Sequence, residues 1–458
     1  MRDKIQFDGT RHTDGADGET VPVTGRETFR FIGAVEDLSE ADCAALMNRS
    51  TSIDRAVRER TASIVERVRA EGDAALFAMA RELDRVTLDA LEVPRERWAA
   101  ALDGLDAKLR AAMERAAENI RRAHEAFRPA ASEVETEPGV VVGRRPDPLG
   151  RVGVYAPGGR AAYPSSVLMG AVPARVAGVG EVVLCSPPGP DGAPSAVVLA
   201  AAALSGVDRV FALGGAGAVA AMAYGTVTVP RVDRIVGPGN AYVAEAKLQV
   251  SGAVAIDSPA GPSELLVIAD FSADPAVVAR ELLAQAEHDP QAAVVAVVMG
   301  EEVAENVADA VRDLLPHEGR AAIVREALAA QGALLVAQTY DEAIAFANAY
   351  AAEHLQLAVA EPQQAAVLER LRNAGTVFVG ETSSVAYGDY MTGANHVLPT
   401  GGLARSYSGL STLDFVRWTT YQRVTREAAA RLAEDVGVFA DAEGLTGHAA
   451  AARQWGRR

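Results

Sequence analysis

From Glu36 to Phe127 the apolar residues recur at helical spacing: Val57, Ile64, Val65 and Val68, then Leu102, Leu105, Leu109, Met113, Ile120 and Phe127. His124 falls on the second of these faces, where a packed, hydrogen-bonded core histidine is expected. The period then changes. Short β-branched runs at Val152–Tyr155, Val182–Cys185, Val210–Leu213 and Ile235–Val236 each end in Gly or Pro, and Ala-rich stretches of helix length separate them. That alternation predicts βαβ units on a parallel sheet. A second series follows at Leu265–Ala269, Ala293–Val298, Ala333–Val336 and Thr376–Val379, with a helical stretch at Pro275–Glu287. The expected fold class is therefore α/β, with two sheet domains of similar size. Past Leu410 the pattern reads as helical again. Residues 1 to about 30 hold few apolar anchors and are expected to form a frayed tail.

Composition narrows the class. The chain has 458 residues, 49% of them apolar and 23% charged, which excludes bulk disorder. The uncharged run Val210–Pro230 is Ala-rich and studded with Gly and Thr, so no membrane span is expected. The polar N-terminus lacks the apolar core of a secretory leader. A net charge of −17 repels phosphate backbones and argues against a nucleic-acid partner. Two cysteines, Cys43 and Cys185, are too few for a disulfide framework or a Cys-rich zinc site, and a reducing, cytoplasmic setting is expected.

Three glycine turns sit at predicted strand ends. Gly215-Ala-Gly217-Ala-Val-Ala220 opens an Ala-rich helix, with Asp233 downstream, as a dinucleotide fingerprint requires. The same glycines would also serve a helix that packs closely. Ala156-Pro157-Gly158-Gly159 follows Tyr155, and Gly237-Pro238-Gly239-Asn240 offers close backbone approach and a side-chain amide. Ligands gather at the carboxyl ends of parallel strands, so a binding crevice is expected there. No Gly-x4-Gly-Lys-Ser/Thr string occurs, which argues against P-loop chemistry. Cys185 reads better as a buried strand residue than as a nucleophile.

Four of the seven histidines stand beside other useful groups. Gln285 and His288 share a helix face and suit a divalent metal, although by residue type Glu287 is the more expected ligand. Glu353-His354 follows the apolar helix Ala343–Tyr350. The pair is either two general bases at a bend or a plain helix end. Asp389 and His396 share a Gly- and Asn-containing loop, and Glu443 and His448 lie near the C-terminus.

Six strings in this order resemble histidinol dehydrogenase: GPGNAYVAEAK, AGPSELLVIAD, QAEH, NAYAAEHL, GDYMTGANHVLPTGG and EGLTGH. The resemblance runs from about Ser52 to the C-terminus. It implies an enzyme that uses zinc and NAD to oxidise L-histidinol through L-histidinal to L-histidine. It further implies zinc ligands Gln285, His288, Asp389 and, from the partner subunit of a homodimer, His448. Substrate contacts would fall on Ser263, His396 and Glu443, together with the metal ligands and His354. NAD would lie against Tyr155 and Asn240. His354 would take the alcohol proton and Glu353 would activate the water that attacks the aldehyde. The fold implied is two incomplete Rossmann-like units, with the NAD set otherwise than on a standard glycine fingerprint. Small N- and C-terminal segments would intertwine the dimer.

The expected division places 1–49 in an N-terminal segment, 50–154 with 265–410 in one sheet domain, 155–264 in the other, and 411–458 in a C-terminal dimerisation domain. Two positions depart from the family pattern. Gly217 stands where Gln is common, which leaves a backbone contact to NAD at most, and Gln356 stands where Glu is frequent. Two other readings compete: a same-fold dehydrogenase for another amino or sulfonated alcohol, and a catalytically silent, zinc-stabilised dimer.

Overall fold

A computed structural model describes residues 28–49, 55–158 and 162–456. The expected tail up to residue 27, with His12, and Gly159 of the first glycine turn lie outside the described residues.

One six-stranded sheet is parallel throughout. Its order is Phe31–Ala34, Gly332–Ala337, Ala293–Met299, Glu264–Ala269, His354–Ala358 and Thr376–Val379. Its central strands are buried on both faces, which is why they read as unbroken apolar runs rather than alternating ones. Val278, Leu282, Val307 and Val324 pack one face; Ile344, Phe346, Ala347 and Val367 pack the other. The second sheet runs Glu92–Val93, Arg209–Ala212, Glu181–Ser186, Arg151–Tyr155, Arg234–Val236 and Ala255–Ile256, parallel except for its first edge strand. Residues 257–263 then carry the chain from the carboxyl edge of this sheet to the amino edge of the first.

The strands sort differently from the expected division. Val65, Val68, Leu76, Met113 and Ile120 join Val152 and Val154 in the core of the second sheet, to which Val397 and Leu410 also contribute. Phe31–Ala34, expected in a separate N-terminal segment, pairs with Ala333–Val336 as the edge of the first sheet. His354–Ala358 is a buried central strand rather than a helix end. Its polar His354 and Gln356 break the apolar run that would have announced it. Beyond Leu410 the expected helical pattern is interrupted by Val416–Val424, which pairs antiparallel with Val140–Pro148, itself paired with Ser132–Glu137. This third sheet is largely solvated, so it lacks the apolar alternation that a half-buried sheet shows. Helices Arg426–Ala442 and Thr446–Arg453 follow it. Among the described residues no helix is long and apolar enough to cross a membrane.

His124 is 1% exposed, and its Nδ1 lies 2.9 Å from the Ile120 carbonyl, as a core histidine should. Cys185 is buried within its strand, and that burial pushes its thiol far up, away from nucleophile chemistry.

Candidate active site

Two edges meet around residues 257–263. At the carboxyl edge of the second sheet, Tyr155 is buried, and its hydroxyl oxygen accepts from the Gly215 N–H at 3.0 Å. Burial pushes the Tyr155 phenol up to about 12, so it stays neutral. Gly237 has φ +118°, and a Cβ there would sit 2.1 Å from the Tyr155 carbonyl oxygen. Only glycine allows this approach. Both polar groups of Gly237 are clamped by a buried ion pair. Its N–H donates to Asp257 at 2.7 Å, and its carbonyl accepts from Lys247, which itself pairs with Asp257, at 3.1 Å. Asn240 caps the helix Ala241–Val250, its Oδ1 accepting from the N–H groups of Tyr242 and Val243 at 3.1 and 3.2 Å. The Asn240 side-chain NH2 group is thus the part left to read a ligand.

The Gly215 fingerprint does not carry over. Asp233 lies at the opposite, amino edge of its strand, where its carboxylate accepts from the Arg151 N–H at 2.8 Å. Gly217 is buried, and a Cβ there would sit 3.1 Å from Met79 Sδ. A side chain at Gly217 would thus face the protein interior, where the glycine allows close helix packing.

At the amino edge of the first sheet the side chains are acidic and imidazole. Glu353 and His354 open their strand at 6% and 4% exposure. His354 Nδ1 lies 3.0 Å from the Glu264 carbonyl and 3.5 Å from Glu353. A carbonyl can only accept, so Nδ1 keeps its proton and Nε2 is the nitrogen left to exchange one. That Nε2 is buried without a hydrogen-bond partner, 3.6 Å from Asp389. Burial alone would lower His354, but Glu353 and Asp389 reverse this and raise it to about 10. Burial raises Glu353, against the pull of His354. Burial also disfavours the charge on Asp389, yet His354, His396 and His288 hold its carboxyl below the usual range. His396 rests on the Asp389 carbonyl, with Nδ1 at 3.0 Å.

Asp389, expected in a loop, lies in the short helix Val385–Tyr390, and the loop after it that carries His396 is pinned from both sheets. Asn395 donates to the Met169 carbonyl at 2.8 Å, Asn119 to the Met391 carbonyl at 2.7 Å, and the Gly401 N–H to Glu264 at 2.6 Å. The helix Pro275–Ala286, begun by an Asp274 cap, delivers Gln285 and then His288 at its C-terminal end. Gln285 is 3% exposed with its Nε2 unpartnered, whereas Glu287, the ligand expected by residue type, is only the C-cap.

The structure thus gathers His288, Glu353, His354, Asp389 and His396, with Gln285 on the adjoining helix end and Ser263 at the head of the neighbouring strand. Glu443 and His448 stand apart, exposed on the C-terminal helices. No hydrogen bond or ion pair links them to the cluster among the described residues. Among those residues, no three His, Cys, Asp or Glu side chains converge as a metal site. The donors at hand are one imidazole, one carboxylate held anionic and one buried amide. They fit a borderline cation such as zinc as an incomplete set that needs a further ligand. Glu264 and Arg49, which touch this cluster, are not singled out by the sequence pattern. A charge at the head of the apolar strand Glu264–Ala269 was the one available signal.

The histidinol dehydrogenase family model matches residues 47–455. The chain is 50% identical over 418 residues to histidinol dehydrogenase of Halobacterium salinarum, covering 91% of this chain and 97% of the relative. To that of Methanosarcina barkeri it is 44% identical over 420 residues, covering 92% and 96%. The crystal structure of histidinol dehydrogenase from Elizabethkingia anophelis superposes with a TM-score of 0.89 at 34% identity, covering 94% of this chain and 98% of that one. With an α/β fold and a base-rich cluster at the meeting of its two parallel sheets, the chain belongs to the histidinol dehydrogenase family of NAD-linked oxidoreductases.

Proposed function

We propose that this chain oxidises L-histidinol to L-histidinal and then to L-histidine, in two NAD-linked steps at the cluster around His354. The observation that carries this reading is the buried, unpartnered Nε2 of His354, oriented by the Glu264 carbonyl beside Glu353. A base so placed takes the hydroxyl proton as hydride departs. His354 must first lose the proton that Glu353 and Asp389 hold on it, and a cation held by Asp389 would weaken that hold. The aldehyde has no hydride to give until water adds to its carbonyl. Glu353, whose carboxyl burial raises above the ordinary carboxylate value, takes the water proton.

Gln285, His288 and Asp389 would hold zinc, with His448 of the partner subunit as the fourth ligand. Tyr155 and the Asn240 amide would flank NAD. When bound, zinc supplies a positive charge that orients the substrate's nitrogen donors, and NAD accepts the hydrides. Ser263, His396 and Glu443 of the partner subunit would fix the substrate. The exposed apolar residues Val438, Phe439, Leu445 and Trp455 support docking of the C-terminal helices on a second copy. The two free cysteines suit a reducing compartment such as the cytoplasm.

Limiting L-histidinol with excess NAD and added zinc tests the reaction. Two NADH per histidinol, with histidine as product, are expected, whereas no turnover by a zinc-loaded dimer would point to another alcohol. Mixing inactive His288→Ala and His448→Ala chains tests sharing. Random re-pairing should restore about a quarter of the parental activity, since one site of each hybrid dimer is intact. No recovery would overturn the shared site.

A further inference from the structure

Glu264 opens the central strand of the first sheet, and its polar atoms serve the two bases and the segments around them. Its N–H donates to Glu353 Oε2 at 2.7 Å, and its carbonyl accepts from His354 Nδ1 at 3.0 Å. Its carboxylate accepts from the Glu353 N–H at 3.4 Å and from the Gly401 N–H at 2.6 Å. Arg49 completes the set with a two-pronged contact, Nε and Nη2 lying 2.9 and 3.2 Å from the two carboxylate oxygens. The side chains of this pair are 4% and 2% exposed. The remaining Arg49 donors reach the Leu46 carbonyl at 3.2 Å and the Tyr350 carbonyl at 2.8 Å, and its guanidinium lies 3.5 Å from the Tyr350 ring centroid.

A buried ion pair adds little net stability over an apolar pair of the same shape, because desolvation offsets its attraction. What a planar fork does supply is direction. Here the direction is imposed on the one residue that both bases lean on.

We propose that Arg49 and Glu264 are a positioning pair for the reaction. Arg49 fixes the Glu264 carboxylate, and Glu264 fixes where Glu353 and His354 Nε2 point. The proposal rests on the reading of Glu353 and His354 as bases. It has a distinctive consequence. Loss of one base weighs on one oxidation step, whereas loss of Arg49 weighs on both.

The test uses the full-length, zinc-loaded enzyme in single turnover, with enzyme in excess over histidinol or histidinal. Under those conditions a reduced folded fraction leaves the rate constant unchanged, and misplaced bases lower it. Arg49→Met is expected to slow both steps by about 10- to 100-fold, the scale of a small misplacement of catalytic groups. Zinc content and KM for NAD should stay within about twofold of the parent. Arg49→Lys, which keeps the buried charge without the fork, should recover part of the rate, and it carries the test if Arg49→Met fails to fold. Glu264→Gln should resemble Arg49→Met. Parental rate constants in these variants, or losses confined to zinc content or to KM for NAD, would overturn the proposal. Glu353→Gln and His354→Asn are the controls. If they turn over at the parental rate, the base reading falls and the positioning role falls with it. If they fail while Arg49→Met runs at the parental rate, only the positioning role is lost.

Discussion

The two edges that meet at the site are built on opposite principles. At the carboxyl edge of the second sheet, helices begin: Gly215–Tyr224 and Ala241–Val250 both start there. Helix N-termini carry a partial positive charge, which suits an anion. At the amino edge of the first sheet, helices end. Pro275–Ala286 finishes at Gln285 and His288, and Tyr340–Tyr350 finishes through Ala351 in a left-handed conformation just before Glu353. Helix C-termini carry partial negative charge, which suits a cation and protonated imidazoles. One edge therefore works mainly through backbone and glycine shape, and the other through titratable side chains. The difference teaches that where the carboxyl edge of one sheet meets the amino edge of another, helix starts and helix ends of opposite partial charge come close along the chain.

That contrast can be broken by substitution, and the side-chain edge should yield the larger loss. Glu353→Gln is expected to slow histidinal oxidation by about 10²- to 10⁴-fold, the usual range for one general base, and histidinol oxidation far less. Stopped-flow NADH formation from each substrate measures both, and equal losses would merge the two roles. The backbone edge should respond through binding. At Gly237→Ala the added Cβ collides with the Tyr155 carbonyl, so the turn must move. KM for NAD should rise about tenfold, the effect of roughly 1.4 kcal/mol, while zinc content holds. A parental KM would remove this turn from cofactor binding.

The smallest effect lies away from both edges. Burial lowers the pKa of His124, with the Ile120 and Leu410 backbones opposing that shift. The unfolded chain therefore binds the proton more readily, and stability should fall as pH drops below about 6.5, the ordinary histidine value. Thermal melting of His124→Asn between about pH 5 and 7 should show a flatter slope than the parent. An unchanged slope would mean that other groups carry it.

Legibility followed physical simplicity. Val152–Tyr155, Leu265–Ala269 and Ala293–Val298 were readable because strands buried on both faces must be continuously apolar. Phe31–Ala34 was too short to stand out, and Val416–Val424 is mostly solvated. Gln285 and His288 stood out by residue type, although the helix that carries Gln285 ends before His288. The Gly215 fingerprint misled because local spacing cannot tell the carboxyl edge of a strand from the amino edge at which Asp233 sits. Glu264 was hidden because its partners Arg49, Glu353 and Gly401 are scattered along the chain.

The sequence by itself determined the α/β class, most strands of both sheets, the glycine turns and the residue types of the cluster. Each of these is a local property, set by side-chain periodicity, backbone freedom or functional-group chemistry. Tertiary structure alone decided which strands share a sheet, which edge each polar group occupies, and that one residue, Glu264, touches Arg49 through its carboxylate and both bases through its backbone. Those facts depend on pairing between segments hundreds of residues apart, where burial and hydrogen-bond satisfaction choose among arrangements that the local pattern leaves equal.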